Sequence, residues 1–293
     1  MNYNLNYDTL CLAGCGPSGF TYISVLKKLH EKHIFFPDKI KKFVGTSIGS
    51  ILCFFLIMDY KLKELLEFIK NFNFSCLEQE IDCEKFLNNY GLNDGKKFII
   101  LLKTFILKKY NKNDITFKEL FENTGKELYI IATNYTNCEE ELFNHINTPD
   151  MNITDAIRMS ISLPIFFTPV NYKENLLIDG GFTNNLGLNY CDPDTTLILC
   201  CYKDKNKNPD NIMDYIYGLK SIISKIIIEK HMNTQYKKNL ININSIHFTF
   251  SPDKKEIDKL ILDGYKIGEK FIKNKPQIFC RDIIFDLINC LNT

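Results

Sequence analysis

Arginine is nearly missing from this 293-residue chain: Arg158 and Arg281 are its only two, and lysine supplies the remaining positive charge. With 36 basic and 35 acidic residues the formal net charge is +1. That balance gives no electrostatic footprint for nucleic acid, which calls for a strong basic excess, and little attraction to anionic lipid. Long apolar runs are also missing. The longest, Ile48 to Met58, is well short of the about 20 residues that span a bilayer. The first ten residues lack the basic region and apolar stretch of a secretory signal. None of the 11 cysteines is spaced C-x-x-C, which argues against a zinc site and a disulfide framework and for free thiols in a reducing compartment. The expectation is therefore an intracellular protein, cytoplasmic or peripheral on membranes. The wealth of Lys, Asn and Ile suggests an A/T-rich coding source, such as a parasite or a large DNA virus.

What is present is globular: 45% apolar and 24% charged residues. No repeat, low-complexity tract or long linker interrupts the chain, so residues 1–293 are expected to form one domain, with the Lys- and Asn-rich loop 203–211 its softest point. Thr9-Leu10-Cys11-Leu12-Ala13 reads as a short buried strand. Phe20 to Lys32 has helical spacing, with Tyr22, Ile23, Leu26 and Leu29 on one face. A strand over Ile40–Val44 and a helix to about Met58 follow. This βαβα order implies parallel strands covered by helices. Further helices are expected at 60–71, 96–109, 154–160, 212–231 and 256–273, with Thr116 and Glu119 forming a capping box. Strands are expected at 127–133, 140–146, 176–178, 196–201 and 245–250.

Gly45-Thr46-Ser47-Ile48-Gly49 is G-x-S-x-G at a strand–helix junction, the arrangement that aims a serine hydroxyl out of a strained turn. Gly45 and Gly49 leave room for backbone packed close to that turn. Upstream, Gly14-Cys15-Gly16-Pro17-Ser18-Gly19 fits G-x-G-x-x-G between a strand and a helix. A dinucleotide loop would need an acidic residue at the end of the next strand, and that strand instead ends in Gly45-Thr46-Ser47. The same loop suits an oxyanion, because backbone N–H groups converging at a helix N-terminus bind developing negative charge. None of the five histidines (His30, His33, His145, His231, His247) follows a strand into an exposed turn. Asp179 does leave a buried strand, into Gly180-Gly181, and its carboxylate can accept a serine proton directly.

These three motifs, in this order and separation, resemble the patatin-like phospholipases, a family of Ser–Asp lipid acyl hydrolases. The stretch from Asp155-Ala156-Ile157-Arg158 through Pro164 to Pro169-Val170 is also similar to the family segment ahead of the aspartate. The resemblance covers roughly residues 7–190, with 191–293 completing the sheet and its covering helices. It implies an α/β fold, a three-layer α/β/α sandwich around a mostly parallel sheet. Ser47 is then the nucleophile and Asp179 the base, with Gly14, Cys15, Gly16 and Gly19 as the oxyanion loop, and no metal or cofactor is implied. The implied substrates are phospholipids, lysophospholipids or acylglycerols, met at a lipid surface; a non-catalytic lipid-binding protein on the same fold is the alternative. The chain departs from the family pattern at Ser18, where many members carry Arg or Lys, and at Gly187, where many have proline and a softer loop is expected. Two segments, the helix Lys96–Lys109 and the aromatic run Phe68–Phe74, are each expected either to surround the site mouth with apolar surface or to pack on the core.

Overall fold

The computed structural model describes residues 7–79, 83–202, 208–210, 212–232, 235–244 and 251–274. The strand expected over 245–250 lies outside them. The chain opens as β1 (Thr9–Leu12), α1 (Phe20–Glu31), β2 (Lys42–Thr46) and α2 (Ile48–Ile57). Next come α3 (Leu62–Asn71), α4 (Cys83–Asn89), β3 (Gly91–Asn93), α5 (Lys96–Tyr110) and α6 (Phe117–Thr124). The middle holds β4 (Glu127–Asn134), β5 (Glu139–Phe143), α7 (Ile153–Ser160), β6 (Ile165–Phe167), β7 (Val170–Tyr172) and β8 (Asn175–Asp179). It closes with β9 (Thr196–Cys200), α8 (Ile212–Met232), β10 (Leu240–Asn242) and α9 (Lys254–Asn274).

The main sheet runs β10-β9-β1-β2-β4-β8-β7, with β5 also paired to β4. Pairs among β10, β9, β1, β2 and β4 are parallel, as the βαβα opening requires. The β4–β5, β4–β8 and β7–β8 pairs are antiparallel. Both faces of β1 are buried, as a central parallel strand demands. Leu10 and Leu12 point into a large core with α1, α2, α3 and α9, whereas Cys11 and Ala13 point into a smaller one with Leu186, Leu188 and Tyr202.

Two packing details fix the ends of these elements. A Cβ on Gly49 would lie 2.0 Å from the Leu12 carbonyl oxygen, so only glycine lets α2 sit against β1. The Thr116 side chain accepts from the Glu119 N–H, and the Glu119 carboxylate accepts from the Thr116 N–H, starting α6 with the expected capping box. A second, two-stranded sheet pairs β3 with β6 in parallel. On α8 the serines Ser221 and Ser224 are buried, while Ile212, Tyr215, Leu219, Ile222 and Ile226 are exposed.

Candidate active site

Ser47 is the single residue between β2 and α2, at φ +54° and ψ −127°. L-residues rarely adopt that conformation, and holding one there costs about 1–3 kcal/mol. Hydrogen bonds on both sides of the residue hold it. Its N–H donates to Ser160 Oγ at 2.8 Å, and Ser160 Oγ in turn donates to the Ile131 carbonyl at 2.6 Å. Its carbonyl accepts from the Ser50 N–H at 2.9 Å and from Ser50 Oγ at 2.6 Å. Gly45 packs its Cα against Gly49 and Ser50 backbone, where a Cβ would meet Ser50 N at 2.6 Å. The turn is thus pinned from α7, from β4 and from the first turn of α2.

Strand pairing brings Asp179 to the same place. β2 pairs with β4 as far as Thr46 opposite Ile131, and β8 takes up with Asp179 opposite Ala132, the next residue along. A Cβ on Gly180 would lie 2.2 Å from the Ile131 carbonyl oxygen and 2.9 Å from Thr46 Cγ2. The end of β8 therefore abuts the end of β2. Asp179 is fully buried, its N–H donates to the Ser162 carbonyl at 3.0 Å, and its Oδ1 accepts from the Gly181 N–H at 2.8 Å.

The glycine loop completes this edge. A Cβ on Gly14 would be 2.8 Å from Ser47 Cβ, so the loop after β1 lies directly against the serine. The Gly14 N–H donates to Asn185 Oδ1 at 2.9 Å, and the Gly14 carbonyl accepts from Asn185 Nδ2 at 3.1 Å. With Gly14 occupied, the N–H groups left at the start of the short helix Gly16–Gly19 are those of Cys15 and Gly16, since Pro17 has none. Gly16, at φ +58°, lines a cavity with Ser47. Gly19 packs against the Ile48 side chain, and Ser18 is fully buried. Gly187 stands in the left-handed region. At φ +60° it adopts a conformation closed to proline, and its N–H donates to Asn184 Oδ1 at 2.7 Å.

From Ser47 a cavity of about 400 Å³ extends between α2, α3, α5 and the small sheet, walled mainly by Ile51, Phe55, Phe68, Leu102, Phe166 and Phe167. Both segments weighed as apolar surface take part in this interior. Phe105 on α5 meets Phe55 and Phe68 edge-on with centroids at 4.9 and 5.1 Å, and Phe72 packs tilted against Phe68 and edge-on against Phe74. They pack on the core. One residue braces the far wall. The Arg158 guanidinium donates to the Asp94 carbonyl (3.0 Å), Ser162 Oγ (2.6 Å), and the Thr168 carbonyl and Oγ1 (2.8 and 2.9 Å). Burial pulls it down to about 10. These bonds tie α7 to the ends of β3 and β6, whose residues line the cavity.

Among the described residues no histidine lines the cavity. His30 bonds the Phe35 carbonyl and His145 stacks on Phe121, while the side chains of His231 and His247 lie outside the described residues. Among the described residues no group of three or more His, Cys, Asp or Glu is placed to hold a metal ion, and no described helix is long and apolar enough to cross a membrane. Asn185, Ser160 and the bracing by Arg158 were not legible in the sequence, because each acts on a partner set by tertiary packing.

A family model for patatin-like phospholipase matches residues 10–192. The probable lipid hydrolase 463L of Invertebrate iridescent virus 6 is 32% identical over 248 residues, which cover 83% of this chain and 79% of that protein. The uncharacterized protein R571 of Acanthamoeba polyphaga mimivirus is 26% identical over 282 residues, covering 90% and 93%. Both relatives are viral, in keeping with the composition. Among solved structures, VipD from Legionella pneumophila has the same fold, with a TM-score of 0.56 at 15% identity over 92% of this chain and 67% of VipD.

Proposed function

Because the chain belongs to the patatin-like phospholipase family, we propose that it hydrolyses lipid carboxylic esters with Ser47 as nucleophile and Asp179 as base. Ser47 Oγ attacks the ester carbonyl carbon while its proton passes to the Asp179 carboxylate. The carbonyl oxygen becomes an oxyanion, held by the N–H groups of Cys15 and Gly16. Collapse expels the alcohol, which takes the proton back from Asp179, and leaves an acyl group on Ser47. Asp179 then deprotonates a water that attacks this acyl-Ser47, releasing the fatty acid and restoring both residues. The positive end of α2 favours the anionic steps.

The observation that carries this reading is the meeting of β2 and β8 on β4, at Ile131 and Ala132, beside an apolar cavity that begins at Ser47. The cavity supports an acyl chain as the bound group, since each methylene transferred from water contributes about 0.8 kcal/mol. Glycerophospholipids, lysophospholipids and acylglycerols all carry such a chain. They are drawn from an aggregate, so the protein works in at least peripheral contact with lipid.

The test is labelling and turnover. Wild type is expected to react with a fluorophosphonate probe and to release fatty acid from a lipid panel read by mass spectrometry. Ser47→Ala, folded by circular dichroism, is expected to do neither, and Asp179→Asn to lose about 10²–10⁴ in rate. Labelling retained in Ser47→Ala, or a fully active Asp179→Asn, would refute the assignment.

A further inference from the structure

Asn185 lies beyond the Asp179-Gly180-Gly181 turn, almost wholly buried, and spends its side chain on another part of the molecule. Its Oδ1 accepts from the Gly14 N–H at 2.9 Å, and its Nδ2 donates to the Gly14 carbonyl at 3.1 Å and to Ser224 Oγ on α8 at 3.0 Å. Gly14 needs this. The sheet ladder on this strand ends with the Ala13 N–H donating to the Leu199 carbonyl at 3.0 Å. One residue later the chain turns toward Ser47, with no strand left to pair with. A carboxamide sets an acceptor and one of its two N–H donors side by side on one edge, which replaces the missing strand at Gly14 and leaves the second N–H for Ser224. Aspartate would set an acceptor against the Gly14 carbonyl, and an aliphatic residue would leave both backbone groups buried and unpaired.

We infer that Asn185 is a positioning residue for the reaction. Through Gly14 it sets the glycine loop against Ser47, and so the direction of the N–H groups that receive the oxyanion. This rests on the assignment of Ser47 and Asp179 proposed above. The segment that carries Asn185 also binds the elbow, since Thr46 Oγ1 donates to the Asn184 carbonyl at 3.3 Å. Base, nucleophile and oxyanion donors are thus referred to one short stretch, and Ser224 ties that stretch to α8.

A loop set in this way affects the transition state more than substrate binding, because the loop contributes only Gly16 and Pro17 to a cavity walled mainly by other elements. Asn185→Ala is expected to lower kcat on a soluble ester by about 30-fold or more, approaching the 10²–10³ lost with a whole oxyanion donor, with KM held within about twofold. Affinity for an alkyl boronic acid, which forms a tetrahedral adduct on Ser47, should fall in parallel. Ser224→Ala, which leaves the Gly14 pair in place, should lower kcat by a smaller factor of about 2–5. Hydrogen exchange measured by mass spectrometry on the peptide covering residues 9–19 should speed up in Asn185→Ala, and this readout does not depend on activity.

A kcat within threefold of wild type in Asn185→Ala overturns the inference. So does a joint fall of kcat, boronate affinity and melting temperature with a raised KM, which marks a merely structural role. Should Asn185→Ala not fold, Ser224→Ala decides: unchanged kcat together with unchanged exchange in residues 9–19 overturns the inference. If wild type neither turns over nor binds the boronate, the Ser47 assignment fails. Faster exchange in Asn185→Ala would still show Asn185 holding the loop.

Discussion

Removing the Ser160 hydroxyl should harm this protein far more than removing the Ser50 hydroxyl, although both touch the same residue at similar distances. Ser160 Oγ accepts from the Ser47 N–H at 2.8 Å and donates to the Ile131 carbonyl at 2.6 Å. Ser160 is fully buried, so Ser160→Ala leaves a donor and an acceptor stranded away from water. Each stranded group costs about 1–3 kcal/mol, or about 3 kcal/mol for the two together. Ser50 Oγ donates to the Ser47 carbonyl at 2.6 Å, but that carbonyl keeps the Ser50 N–H at 2.9 Å. Ser50→Ala therefore costs only about 0.5–1.5 kcal/mol. With a urea dependence of about 3 kcal/mol per molar, the unfolding midpoint should drop by about 1 M in Ser160→Ala and by about 0.3 M in Ser50→Ala. The strained Ser47 turn also loses its α7 anchor in Ser160→Ala, and a mis-aimed nucleophile should cost about 10² in kcat. Equilibrium urea unfolding and ester kinetics on both variants decide the matter. Equal midpoint shifts, or a Ser160→Ala protein as stable as wild type, would refute the reasoning.

Other outcomes follow from the same contacts. Alanine at His30, His33 or His145 should keep kcat within about tenfold of wild type, since a lost general base costs about 10²–10⁴; a larger loss in a folded variant would expose a missing base. Gly187→Pro should destabilise the protein by about 3 kcal/mol or more in thermal or urea unfolding, because φ +60° and the N–H bond to Asn184 are both closed to proline; an unchanged midpoint would disprove that loop geometry. Arg158→Met should lower the ratio of long-chain to acetyl-ester turnover by about tenfold while acetyl-ester turnover changes little, as the wall of β3 and β6 loosens; equal losses on both esters would place Arg158 outside chain recognition.

The sequence made visible what depends on a side chain being small or aimed. Gly14, Gly49 and Gly180 stand where a Cβ would run into neighbouring atoms, so the pattern of glycines around Ser47 and Asp179 marks the close contacts themselves. The parallel core was legible for a related reason, because β1 and α2 read as continuous apolar runs and α1 is long enough to show helical spacing. Illegible were features made by a few residues or by distant partners. The antiparallel contact of β8 with β4 involves three residue pairs, and β3 and β6 have three residues each, too few for any period to emerge. Asn185 looks like one more asparagine in an Asn-rich chain until Gly14, 171 positions away, is seen beside it. The helix was expected over 212–231, but not that it buries Ser221 and Ser224 and, among its described residues, turns Ile212, Tyr215, Leu219, Ile222 and Ile226 outward, because an isoleucine-rich face normally predicts the inside.

The handover on β4 has a consequence for how such a protein changes over time. Ser47 and Asp179, far apart in sequence, are gauged against each other by one peptide unit between Ile131 and Ala132, about 3.3 Å of strand. Beyond α2, the cavity wall comes from α3, α5 and the β3–β6 pair, which lie in the long excursions between those strands. Insertions and exchanges in these excursions can redraw the cavity while the proposed pair, Ser47 and Asp179, keeps its spacing. A single residue gained or lost in β4 at this point would shift the partners of one strand end but not the other, and turn the pleat over. On the proposed assignment, selectivity is free to drift in this architecture while Ser47 and Asp179 keep their spacing.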